Sequence, residues 1–350
     1  MKKILLIIIL LFSIFIFFIT HDYKSITQIT FVNSIGIDYS EESDEFTLYY
    51  FVLNNYNIAQ TGNSAAFTNT HAYVTKASDK ELLLAENKIR NNSNTKIDLS
   101  HVRSIVIKDT FFKKNNIIKL IDYIKNSNKY NPSFEVYTTD DNLDEIYKLD
   151  NFSEVSGYYT ILVNTQNNIP VKHITYSDLC NDIYIDNFFV PYQKIKVNKG
   201  IINDSEKEYV TLSYDGCTFI NESLQTCSFK YHNIHGLAYF TTKINRPIII
   251  NNNNHTYSLS VNLFKINYYI KDGKLLLTIK INGSFIDVNN EDATMLKGLL
   301  KDKITKDILE MNETLINYDI DFFNIKYMSK GKINYKDIPI VFKYSISLNN

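Results

Sequence analysis

The chain begins Met1-Lys2-Lys3 and then runs apolar from Ile4 to Ile19, broken only by Ser13. A helix of those 16 residues has no polar side to turn toward water, so it fits no surface position in a globular domain. At the usual rise it is roughly 24 Å long, a little short of the ~20 residues that cross a bilayer. Met1 and Thr20 extend it, and the lysines snorkel to the headgroups. Two readings compete, a cleaved signal peptide and a retained anchor. The exit reads Thr20-His21-Asp22-Tyr23-Lys24-Ser25, without a small-x-small cleavage pattern, which favours the anchor. The lysines ahead of the run place the N-terminus in the cytoplasm and the body of the chain outside.

The body has enough apolar surface to fold. Of 350 residues 45% are hydrophobic, with 26 Tyr and 22 Phe, which excludes wholesale disorder and implies two or three packing units. Lys and Arg number 37 against 38 Asp and Glu, so the balance argues against a nucleic-acid partner. Cys180, Cys217 and Cys227 are the three cysteines, too few for a disulfide scaffold. Cys217 and Cys227 flank a hairpin and are placed to pair in an oxidising exterior, but the odd third favours buried free thiols.

Periodicity predicts strands over Ile29–Asp38 and Phe46–Leu53, joined by an acidic turn, with an edge strand at His71–Lys76. Ser78-Asp79-Lys80-Glu81 reads as a capping box ahead of a helix whose buried side is Leu82, Ala85 and Ile89. Ile97–Lys108 reads as a strand, Asn116–Lys125 as a helix, Phe134–Thr138 as a strand and Asp141–Lys148 as a short helix. That alternation implies parallel pairing beside the opening hairpin. Tyr192–Val197 reads as a strand, and the polar stretch Asn198–Glu208 as a boundary. Beyond it, strands are predicted at Tyr209–Leu212, Cys217–Asn221, Gly236–Thr241, Thr256–Tyr269 and Lys274–Asp287, the last two joined by an Asp272-Gly273 turn. On the first of that pair Leu259, Val261 and Leu263 share a face. A helix over about 291–317 has the stripe Leu296, Leu299, Leu300, Ile304, Ile308, Met311 and Leu315, and Ile340–Leu348 closes as a strand. The expected fold is α+β: mixed β-sheets with packed helices in two or three extracytoplasmic domains after an N-terminal membrane helix. The expected division is 1–24 anchor, 25–200 mixed α/β region and 201–350 α+β domain.

Catalytic signatures are absent: no G-x-S-x-G, Walker A, H-E-x-x-H or C-x-x-C occurs. His232 and His235 are three apart in a polar stretch, short of the three or four ligands zinc needs. Asp319 and Asp321 form a close carboxylate pair of the kind a glycoside hydrolase uses, and solvent-facing alternation explains them equally well. His101 and Arg103, two apart, are expected on one strand face, either turned to an anion or partner or held by Asp98 or Asp109. No catalytic residue, metal ligand or cofactor is assigned.

Four segments resemble one family in order. They are Leu99-Ser100-His101-Val102-Arg103-Ser104-Ile105-Val106-Ile107 with the following Phe111 to Ile117; Ile35-Gly36-Ile37-Asp38; Gly236-Leu237-Ala238-Tyr239-Phe240 with Lys243 and Ile244; and Tyr318-Asp319-Ile320-Asp321-Phe322-Phe323. The chain resembles the Ger(x)C proteins, the C subunits of the nutrient germinant receptors of bacterial spores. Gly36, Asp38, Gly236, Leu237, Asp319 and Asp321 are then structural residues of family motifs, and His101 and Arg103 the candidate partner-facing pair. The resemblance implies a non-catalytic, membrane-tethered subunit outside the spore inner membrane. It would work with a multi-spanning A-type subunit and a transporter-like B-type subunit in the response to small nutrients. Two departures stand out. Most members carry a lipid-receiving cysteine just after the signal segment, whereas here the first cysteine is Cys180. Asn115 and Asn116 replace the usual glycine of the basic turn. The alternatives are a membrane-anchored surface hydrolase using Asp319 and Asp321, and a solute-binding or adhesive module unrelated to spores.

Overall fold

The computed structural model describes residues 29–53, 72–112, 116–127, 130, 133–147, 174–184, 192–203, 208–221, 226–240, 247–252, 255–286 and 293–348. The apolar run Ile4–Ile19 lies outside them, as do Asn54–Thr70, Glu291, Asp292, Lys243 and Ile244. Among the described residues no helix is long and apolar enough to cross a membrane.

Strand β1 (Ile29–Ser40) turns through residues 41–44 into β2 (Glu45–Leu53), and β2 pairs antiparallel with β3 (Ala72–Asp79). Helix α1 (Leu82–Asn91), strand β4 (Lys96–Asp98), strand β5 (Ser104–Lys108), helix α2 (Asn116–Ser127), strand β6 (Glu135–Thr139) and helix α3 (Leu143–Tyr147) follow. After α4 (Tyr176–Tyr184) come β7 (Tyr192–Asn203), β8 (Glu208–Ile220) and β9 (Thr226–Lys230). They form one sheet in the order β3-β2-β1-β5-β6-β7-β8-β9, with β4 alongside the start of β1. β1, β5, β6 and β7 run parallel between two antiparallel flanks, as the alternation of elements implied.

Both faces of the central strands are covered, which is why β5 reads as continuous Ile-Val-Ile and not as an alternation. On one face Ile35, Ile37, Ile105 and Ile107 meet α1 and α2 through Leu82, Ile89, Leu120 and Ile124. On the other, Tyr49, Phe51, Val106 and Tyr137 meet Leu143, Ile146 and Tyr147 of α3. The stripe of α1 includes a carboxylate: Glu86 is buried beside Ala85, and its oxygens accept from Arg90 Nε at 2.5 Å and the Tyr123 hydroxyl at 2.6 Å.

Three boundaries differ from expectation. Ser78 is no N-cap: it lies in β3, its hydroxyl 2.8 Å from Thr47 Oγ1, and α1 starts after an extended Glu81 without a side-chain cap. The stretch Ile97–Lys108 is two strands, because residues 99–103 turn the chain between β4 and β5. The polar residues at 198–208 fall within a hairpin, where Asn203 pairs with Glu208. The first sheet therefore continues past residue 200 to Lys230, and 209–220 is one strand where two were expected.

The second sheet has the order β10 (Ile248–Asn252), β11 (His255–Lys271), β12 (Lys274–Ile286), β13 (Ile340–Leu348). Asp272 and Gly273, with φ of 51° and 70°, make the tight turn that joins β11 and β12, in the backbone twist favoured for two-residue hairpins. A bulge between Val261 and Leu263 shifts the register, so Leu259 is buried but Leu263 is exposed. The three residues do not share a face. Helix α5 (Ala293–Ile316) covers the inner face with Leu296, Leu300, Ile304, Ile308, Met311 and Leu315, all buried, and Leu299 at the margin. It is the crossover that lets β13 run parallel to β12. The same core takes in Cys217, Phe219 and Phe229 from β8 and β9, so the two sheets share packing.

Residues 236–241, expected as a strand, fall in a 3-10 segment, His235–Phe240, lying on α5. A Cβ on Gly236 would come 2.5 Å from the Asp307 carbonyl oxygen, so only glycine lets the segment approach the helix backbone this closely. Leu237 and Tyr239 enter the core, and the Tyr239 hydroxyl donates to Asp307 Oδ2 at 2.7 Å. A short apolar run carries no period that separates these outcomes.

Candidate recognition site

The His101–Arg103 pair sits on the turn between β4 and β5, not along a strand. Asp98 at the end of β4 shapes the turn by accepting from the Ser100 amide at 2.8 Å and its hydroxyl at 2.5 Å. Burial works to raise the Asp98 carboxyl, but the Ser100 bonds and the charges of His101 and Lys96 hold it below the usual carboxylate range. Leu99 and Val102 point into the core, which forces the residues between and after them outward. His101 and Arg103 are both exposed. The Phe31 ring meets the imidazole edge-on, with centroids 4.7 Å apart. The Arg103 backbone is pinned on both sides: its amide donates to Asn33 O, and its carbonyl accepts from Glu135 N, each at 2.9 Å.

His101 and Arg103 line an open pocket of about 310 Å³ together with Ser100, Val102, Ser133, Phe134 and Glu135. His101, Arg103 and Glu135 are thus gathered around one cleft. The Glu135 carboxylate accepts from the Tyr137 hydroxyl. Asp98 is the acidic neighbour expected for His101. Asp109 is not a partner of Arg103: it follows the other end of β5 and binds Lys194 Nζ at 2.9 Å.

The remaining motif residues have structural work. Gly36 leaves room for α3, since a Cβ there would lie 2.7 Å from Tyr147 Cε2. Asp38 accepts from the Tyr39 amide, Thr110 Oγ1 and Lys108 Nζ at 2.7, 2.6 and 3.1 Å. It gathers β1 and β5 at their C-terminal ends. Asp319, with φ of 59°, is exposed and pairs with Lys336. Asp321 is buried, and its two oxygens accept from the Ile325 and Lys326 amides at 2.9 and 2.8 Å, at the start of a one-turn helix α6 (Ile325–Met328). One carboxylate is thus committed to a lysine and the other to a helix start, an arrangement that does not place two acids across a shared groove. His232 and His235 are exposed in successive 3-10 turns. Cys180, Cys217 and Cys227 are free thiols, and register sets Cys217 opposite Phe229 and Cys227 opposite Phe219. Burial pushes the Cys217 thiol far above its ordinary value, only partly offset by a bond with Tyr231.

Sequence reasoning missed Lys194, its pairing with Asp109, and the burial of the Glu86 carboxylate. Lys194 is buried on β7, bonded to Asp109 and 3.2 Å from Asp140. Burial alone would depress its ammonium, but these two carboxylates hold it above the usual lysine range. For Glu86 the signal was present: it falls four residues after Leu82 on the apolar stripe.

Residues 22–195 match the family model of the spore germination protein N-terminal domain. No curated protein matches the chain. A solved structure described as the crystal structure of the GerBC protein aligns over 93% of this chain and 100% of its own, at 13% identity and a TM-score of 0.48. Strands β1 to β6, the turn with His101 and Arg103, and the start of β7 all lie within the matched domain, and through it the chain belongs to the Ger(x)C family of spore germination proteins.

Proposed function

We propose that the chain is a non-catalytic subunit of a membrane receptor complex that couples small nutrients to spore germination. Its partners in this reading are the A-type multi-spanning and B-type transporter-like subunits, and its site is the outer face of the spore inner membrane. The observation that carries it is the position of the family match, which begins at residue 22, directly after the apolar run ends at Ile19. A helix over that run would hold the domain in the plane of its partners and raise their effective concentration. No lipid-bearing cysteine is needed, because a membrane helix binds more permanently than one acyl chain.

The exposed turn with His101 and Arg103 is the contact surface we assign to the partners. Its backbone is fixed at both ends, so little order is lost on docking. Deletion of the gene should abolish the response to nutrients and leave germination by non-nutrient triggers intact. Replacing His101 and Arg103 together by Glu should reproduce that phenotype while the protein accumulates normally. Normal nutrient germination in the deletion strain overturns the receptor reading; normal germination in the double variant overturns the contact surface alone.

A second reading comes from Glu135. A cleft lined by both Arg103 and Glu135 offers the two charges that complement a zwitterion, so this subunit itself would hold an amino-acid-like nutrient. Calorimetric titration with amino acids separates the readings, since only this one expects heat that Arg103→Ala removes.

A further inference from the structure

The outward face of the second sheet carries a charge pattern that the fold does not explain. Beyond the bulge, β11 turns Leu263, Lys265, Asn267, Tyr269 and Lys271 away from α5. Register places Lys265 opposite Lys280, Asn267 opposite Thr278, Tyr269 opposite Leu276 and Lys271 opposite Lys274. On β13, Val341 pairs with Leu276 and Lys343 with Thr278, and Ser345 lies beside Lys280. All five lysines are exposed, as is Tyr269 at 46%. None of these outward positions is Asp or Glu, and among the described residues none of the five lysines enters an ion pair. Like charges directly opposite on neighbouring strands destabilise a sheet. Here two such pairs stand on one face, in a chain whose net charge is only -1. A local cost without a local partner marks a surface kept for something else.

We infer that this face is a docking surface for an anionic lipid bilayer. Three features select a membrane over a folded acidic partner. The face is a broad three-strand surface and not a groove. Its lysines surround Tyr269 and Leu263, an amphipathic ring and an apolar side chain suited to the headgroup boundary. The chain also carries the apolar run Ile4–Ile19 at its start. The inference stands whether or not the receptor reading does.

The chain has no tryptophan, so Tyr269→Trp gives a single reporter on this face. The full-length variant is reconstituted in vesicles of phosphatidylcholine alone or mixed with phosphatidylglycerol, each with headgroup-quencher lipid. Quenching and a blue shift are expected only with phosphatidylglycerol, and both should fade as salt rises. Lysines beside an anionic surface contribute about fivefold each, so Lys265→Gln, Lys280→Gln and Lys343→Gln together should weaken contact about 100-fold. The matching Arg variants should keep it. The Gln variant should melt no lower than the parent, which separates lost contact from lost fold. Equal spectra in both vesicles, or quenching that survives the Gln changes, overturns the inference. Retention on immobilised polyglutamate without vesicle contact would assign the face to an acidic protein and overturn it too.

Discussion

A methyl group added at Gly36 would strike Tyr147 Cε2 at 2.7 Å, Tyr49 Cβ at 3.1 Å and Leu143 Cδ1 at 3.2 Å. These atoms belong to a packed core, so Gly36→Ala should cost ~1–3 kcal/mol. The check is a lower urea midpoint with unchanged slope. Lys194→Met should cost about 2–3 kcal/mol at neutral pH, because it removes the cation from Asp109, whose Oδ2 keeps the Ser228 hydroxyl at 3.1 Å and whose Oδ1 has no hydrogen-bond partner among the described residues. The raised Lys194 value sets the sign of its pH dependence. Burial also pushes the Asp109 carboxyl up, so the pair is fully charged only between that raised carboxyl value and the ordinary lysine range, and its stabilisation is lost as pH climbs through the raised lysine value. Equilibrium unfolding across that alkaline window should show the parent losing stability and the Met variant losing less. Gly36 and Asp38 were legible from their motif; Lys194 was not, because a lysine in an alternating strand looks the same facing water or facing a buried carboxylate.

At the scale of elements, legibility followed period and length. Helix α5 shows its apolar stripe over 24 residues, and Ile304 at its centre is fully buried. Ile304→Ala should therefore cost ~2–5 kcal/mol, the range for deleting buried aliphatic carbon, read from thermal or urea unfolding. The six-residue segment His235–Phe240 has no such length, and its conformation is set by how near Gly236 comes to α5. The Val261 bulge inverts a face that alternation alone keeps constant. The turn with His101 and Arg103 was hidden because Ile97 and Ile105 bracket it with strand-like residues. Asp98 holds that turn, so Asp98→Ala should cost ~1 kcal/mol and speed amide exchange at Ser100. The folded value of Asp98 is depressed, so its contribution is present above the ordinary carboxylate range and is lost as pH falls through the lowered value. The protection of the Ser100 amide, relative to its intrinsic exchange rate at each pH, should fall in the same acid window.

Across the whole molecule, the α+β class and the order of parallel and antiparallel strands could be read from alternating elements. The way the sheets join could not, since a polar hairpin and a domain boundary have the same composition. A fragment ending at residue 200 would remove β8 and β9 from β7, exposing a strand edge and the core that Ile220 covers. Such a fragment should self-associate where the full chain does not, as light scattering would show. Time enters through β13. Among the described residues its one sheet neighbour is β12, yet residues 287–339 must be synthesised between the two, which takes roughly 3–10 s at ordinary translation rates. During that interval the rim of β12 is open to any other nascent chain on the same message. Lys274 and Lys280 on that strand then act as gatekeepers, repelling an identical strand until the correct one arrives.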